Sequence, residues 1–286
     1  MKTIKHGILA LAFCVMALGF TQTALAAEPL KGTWALEPTT KAGQVHLALR
    51  HRSDHHNSNI EMDQPASAFT GLDFTTPGKR DVTFSMTRDA GRLDCEGYIK
   101  DGEGAGTYRF TPDAKYVPAM SAVGFGDIDD NKQFAMALHD VSVEFARQMK
   151  AEKLENLDTD KLLAFRIFDV NSEFIREMRS AGLPARDADK LIAFRVHGVK
   201  AKDVAAMRQS GIDADENQLI AFRVHGVTPE YVAKVEKLGF GRVEPNQLVA
   251  MRVHGVTPEY IANLKSRGIK DLTIDKVVNL KIHGID

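Results

Sequence analysis

The densest unrepeated group of ligand-type side chains lies between His46 and Asp63. It holds His46, His51, Asp54, His55 and His56, with Glu61 and Asp63 beyond a polar turn. Imidazoles and carboxylates at this density can bind zinc or copper. The spacing matches no tight ligand motif, and residues 53–59 have the composition of an exposed hairpin tip. A solvated turn is the preferred reading. His51, Asp54, His55 and His56 form the metal alternative, and no metal or other cofactor is assigned.

A second set of chemical groups recurs. HGVTPEY occurs at His225–Tyr231 and again, 29 residues later, at His254–Tyr260. The same register carries a cation at Arg166, Arg195, Arg223, Arg252 and Lys281. It carries His139, Phe168, His197, His225, His254 and His283, followed by Asp140, Asp169, Gly198, Gly226, Gly255 and Gly284. Acids align at Glu144, Glu173, Glu230 and Glu259, with Asp203 in the middle copy. The histidines are too far apart to share a metal. Stacked helices lie roughly 10 Å apart, whereas zinc–nitrogen bonds are about 2 Å. Each histidine sits near a helix C-terminus, where an imidazole can bond the last carbonyls. Arg223 shares a helix side with Leu219 and Ile220, so it needs an acceptor. Glu230 is the expected partner, giving an Arg–Glu lattice through the stack. The rival is a basic stripe lining a ligand groove.

Catalytic signatures are thin. HExxH, GxSxG and GxxxxGK[ST] do not occur. Gly102, Gly104 and Gly106 imitate a phosphate-cradling loop, but they join two strand-like runs, so residues 101–106 read as a hairpin turn. Cys95 lies in an alternating run, Arg92–Tyr98, and reads as a buried strand residue rather than a reactive thiol. The chain is read as a non-enzyme.

The elements that position these groups fall into three regions. Lys2 and Lys5, the apolar run Ile8–Phe20 and Ala24-Leu25-Ala26 predict a signal peptide over residues 1–26. Phe13 before Cys14 disfavours lipidation. The mature chain is expected to be periplasmic or secreted, with no integral membrane segment. It retains only Cys95, so no internal disulfide is expected. Removing Lys2 and Lys5 takes the net charge from −1 to −3. No strongly basic arm or face is visible, which argues against nucleic acid as a partner.

Within residues 27–110, the run from Gly32 to Phe110 alternates with period two. Val45-Leu47-Leu49 and Val82-Phe84-Met86 each share one side, and Gly–Asp clusters separate the runs. A small antiparallel β domain follows, with Trp34, Phe84, Tyr98, Tyr108 and Phe110 as candidate core. Residues 111–286 turn helical. In one unit Asp213 or Asp215 caps a helix that Gly226 ends; Thr228 then caps a second helix, with Pro229 at its first position. Five such hairpins of 28–29 residues, flanked by half-units, predict about twelve short helices. The expected fold class is α+β, a small β domain followed by an α-solenoid.

The run Leu219–Tyr231 and its copy Leu248–Tyr260 resemble tandem helical repeats of exported bacterial proteins. They are similar to the extracytoplasmic regions of beta-lactam-sensor-type membrane metallopeptidases, as is the segment from Cys95 to Phe110. The resemblance implies an architecture and a location, and carries across no catalytic residue. The expected function is a non-enzymatic interaction or scaffold module whose partner is another envelope protein or peptide. The alternative is an extracytoplasmic ligand or metal sensor in an envelope-stress or antibiotic response.

Overall fold

The computed structural model describes residues 29–52 and 57–285. The expected signal peptide and three of the metal candidates, Asp54, His55 and His56, lie outside the described residues.

Six strands come first: β1 (Leu30–Pro38), β2 (Gln44–Arg52), β3 (Asn57–Pro65), β4 (Lys79–Arg88), β5 (Gly91–Lys100) and β6 (Glu103–Pro112). They form one antiparallel sheet in the order β3-β2-β1-β6-β5-β4. The alternation dictates which face is covered: Val45, Leu47, Leu49, Phe84, Met86, Leu93 and Cys95 are all buried. Tyr98 departs from expectation. It is 45% exposed and lies under the Lys79 ammonium on the open face.

The glycine-rich run also departs from its expected form. The turn is confined to Asp101 and Gly102, and Gly104 and Gly106 lie inside β6. Their smallness admits an aromatic ring. A Cβ on Gly97 or Gly104 would lie within 3.0 Å of the Trp34 ring. Trp34 donates its indole N–H to the Glu96 carbonyl at 3.1 Å.

Twelve α-helices follow among the described residues: α1 (Tyr116–Val123), α2 (Asp130–Leu138), α3 (Val143–Ala151), α4 (Thr159–Ile167), α5 (Ser172–Ser180) and α6 (Ala188–His197), then α7 (Ala201–Gln209), α8 (Glu216–His225), α9 (Pro229–Val235), α10 (Pro245–Val253), α11 (Pro258–Ser266) and α12 (Ile274–Ile282). Their starts are written in the sequence. Side chains of Asp129, Ser142, Asp158, Asn171, Asp187, Asp215, Thr228, Thr257 and Thr273 each cap the amides of the first turn. Asp215, not Asp213, begins α8, in a reciprocal box with Gln218. The turning residue after each even-numbered helix is left-handed. It is Gly198, Gly226, Gly255 or Gly284 at φ near 70°, or Asp140 and Asp169 at φ 55°.

Alternate helices pack side by side: α4 on α6, α6 on α8, α8 on α10 and α10 on α12, with α1 on α3, α5 on α7 and α9 on α11. Helix α2 joins this array to the sheet. Phe134 stacks on Tyr108 and meets Phe110, with ring centroids 5.8 and 5.0 Å apart. Gln133 donates to the carbonyls of Ala90 and Asp113, so its buried amide is satisfied at the junction.

Candidate functional site

The repeated groups meet at the joints between one unit and the next. Counting three residues from the caps of α3, α5, α7, α9 and α11 gives Phe145, Phe174, Asp203, Tyr231 and Tyr260. In four of these joints the ring lies beneath the cation of the following helix. Arg166 covers Phe145 at 5.1 Å, Arg195 covers Phe174 at 4.0 Å, Arg252 covers Tyr231 at 5.1 Å and Lys281 covers Tyr260 at 4.6 Å. The ring's negative face attracts the charge.

Where the ring is tyrosine, its hydroxyl adds a cross-link. Tyr116, Tyr231 and Tyr260 donate to the carbonyls of Val141, Val256 and Ile285 at 2.6, 2.9 and 2.6 Å. Each acceptor directly follows the left-handed residue of the next unit's turn. Burial pushes the Tyr231 phenol up to about 12, against a smaller opposing pull from Arg252.

Among the described residues no ion pair joins a repeat arginine to a repeat glutamate, which corrects the expected Arg–Glu lattice. They reach back to the preceding turn. Arg166 donates to the His139 carbonyl at 3.0 Å and to Asp140 at 2.6 Å. Arg195 meets Asp169 at 3.1 Å, and Arg252 donates to the His225 carbonyl at 3.0 Å. Each cation therefore sits at the negative end of its neighbour's helix. The odd-numbered helices repeat the device. Lys150 and Lys265 donate to the Val123 and Leu238 carbonyls, and Arg179 bonds the carbonyl and carboxylate of Glu152.

Glu230 and Glu259 are exposed and serve their own helices. Each carboxyl lies below its ordinary range because its own backbone amide and the hydroxyl of Thr228 or Thr257 bond the charged form. The middle copy is shifted by one residue from the expected alignment. Lys202 holds the glutamate position and Asp203 the ring position. Of the recurring histidines, His139 and His225 offer their backbone carbonyls to the next unit's arginine. His197, His225 and His254 are exposed, and among the described residues only His283 turns its ring onto a helix carbonyl, that of Asn279 at 2.8 Å. Burial, with Arg166 close by, holds His139 below the ordinary imidazole range.

The α7–α8 joint is the exception. Among the described residues Arg223 has neither a ring beneath it nor a carboxylate or carbonyl bonded to it. Its guanidinium lies beside Gly198. A cavity of about 110 Å³ opens here, lined by Asp203, Val204, Met207, Leu219, Phe222 and Arg223, and by the Gly226–Pro229 turn. Helix α7 also has no side-chain cap, since Lys200 stands where α3, α5, α9 and α11 have Ser, Asn or Thr. Counting from the caps alone would have located this break.

A second feature, unread in the sequence, is a row of exposed apolar residues. Ile167, Val196, Val224, Val253 and Ile282 are 49–54% exposed and follow the repeat cation in every unit. Half-buried Leu163, Ile192, Ile220, Val249 and Val278 lie one turn earlier, on the same helix sides. Because α4, α6, α8, α10 and α12 pack in succession, this register leaves a row of such residues, one on each of five neighbouring helices. The signal was present: this position is β-branched in all five copies.

The remaining candidates separate in space. His46 bonds Asp63 at 3.0 Å, and Lys41 joins the same carboxylate at 2.9 Å. Those bonds, Lys41 first, hold Asp63 below its ordinary range. His51 turns its ring nitrogen onto the Lys31 carbonyl at 2.7 Å. No three His, Cys, Asp or Glu side chains converge among the described residues. Cys95 is 2% exposed, and burial, with Asp94 beside it, pushes its thiol up to about 12. No helix among the described residues is long and apolar enough to cross a membrane. No family model, curated protein or solved structure matches the chain.

Proposed function

We propose that this chain is an exported, non-enzymatic interaction or scaffold module of the bacterial envelope, a β domain capping an α-solenoid of five hairpins between two half-units. The side-by-side packing of alternate helices supports the solenoid. One observation carries the functional reading: the stripe Ile167, Val196, Val224, Val253 and Ile282. We read this row of half-exposed apolar residues on successive helices as a docking face. A basic residue precedes each member of the stripe, and a histidine follows it in four of the five copies. This pattern suits an extended partner segment that combines apolar and acidic residues. The partner is another envelope protein or peptide.

The test is the full-length triple variant Val196→Asp/Val224→Asp/Val253→Asp. These positions are exposed, so the thermal midpoint stays close to wild type while capture of the envelope partner is lost. Unchanged capture by a folded triple variant would sink the reading. Export is tested separately by mass measurement of the periplasmic form, which should begin at Ala27.

A further inference from the structure

We infer that the α7–α8 joint is a binding site for a phenol ring, delivered free or as a tyrosine side chain. The sister joints define the ligand. Four of them place an aromatic side chain under the repeat cation, and two of those four are tyrosines. At this joint the chain supplies Asp203 instead, and the structure has a cavity of about 110 Å³ in its place. An apolar cavity of about 150 Å³ is known to take up benzene. This one is smaller but opens to solvent, so a ring can enter and project.

The groups around it match a phenol on both sides. Val204, Met207, Leu219 and Phe222 supply apolar walls. Arg223, with no ring and no acceptor among the described residues, supplies the cation that the sister rings engage. The Val227 carbonyl belongs to the residue that follows the left-handed glycine of this joint. It is the register equivalent of Val141, Val256 and Ile285, whose carbonyls accept the tyrosine hydroxyls. Val227 lines the cavity, so a hydroxyl para to the point of attachment has an acceptor there. Asp203 lines it too and disfavours ligands with a negative charge near the ring. The site does not depend on the apolar stripe, and it stands whether or not the stripe binds a partner.

The experiment is titration of the full-length protein with p-cresol and toluene, followed by NMR and calorimetry. The expected result is saturable p-cresol binding, several-fold tighter than toluene. Asp203→Tyr supplies the ring from within the chain, so it should raise the thermal midpoint and abolish p-cresol binding. Arg223→Gln removes the cation from an exposed side chain that bonds nothing among the described residues. It should fold normally and weaken binding several-fold, which keeps the test intact if Asp203→Tyr does not fold. A capped Gly-Tyr-Gly peptide distinguishes the sources. Tighter binding than p-cresol assigns the site to a partner's tyrosine, and weaker binding assigns it to a free phenol. No saturable binding of either probe, or equal affinity in wild type and both folded variants, would overturn the proposal.

Discussion

The Tyr231 hydroxyl donates to the Val256 carbonyl across 2.9 Å, joining residues 25 apart in the chain. The same bond recurs from Tyr116 to Val141 and from Tyr260 to Ile285. A buried carbonyl bonded in this way loses its partner when the hydroxyl is removed. Tyr231→Phe should therefore cost about 1–3 kcal/mol, the penalty for stranding a buried acceptor. Urea denaturation reads it. A variant as stable as wild type would show that the bond contributes nothing net.

The same tyrosine predicts an alkaline limit to stability. Its folded pKa is raised to about 12 from an ordinary value of 10.0. The folded state thus holds its proton more tightly than the unfolded state. The stabilisation is complete below pH 10 and is lost as pH rises towards 12. The midpoint of urea unfolding should fall over that window, and Tyr231→Phe should flatten the fall. A pH profile indifferent to the substitution would refute the assignment.

The cations should divide by what they touch. Arg166 bonds the His139 carbonyl and Asp140 and covers Phe145. Arg166→Ala should cost about 1 kcal/mol, allowing for its exposure to solvent. Arg223→Ala should fall within about 0.5 kcal/mol of wild type. A double-mutant cycle between Arg166 and Asp140 should show coupling. The cycle between Arg223 and Glu230 should show none, and measurable coupling there would restore the Arg–Glu lattice.

Cys95 should be chemically silent in the folded protein. Burial raises its thiol to about 12, and the thiolate is the reactive form. At pH 8 a thiol reagent should label it only as fast as the chain unfolds, with urea accelerating the reaction. Rapid labelling without denaturant would contradict the buried position.

The sequence by itself determined the elements and their order. Alternation fixed which side of each strand is covered, because side chains point to opposite faces at successive residues. Capping residues and left-handed turn residues fixed where helices begin and end, because those signals act over three or four positions. The repeat period fixed which residues are equivalent. Tertiary structure decided what those residues touch. The repeat cation and Glu230 are seven positions apart, yet the cations that have partners find them about 27 residues upstream, at the end of the neighbouring helix. Val224 reads like any other apolar residue of α8, and packing alone leaves it on the outside. Asp203 looks like another member of the acidic column until the helix cap sets its register and places it where the other units carry a ring. Local chemistry is written along the chain, whereas partners and cavities depend on which helices stack, and stacking joins residues that sequence spacing keeps apart.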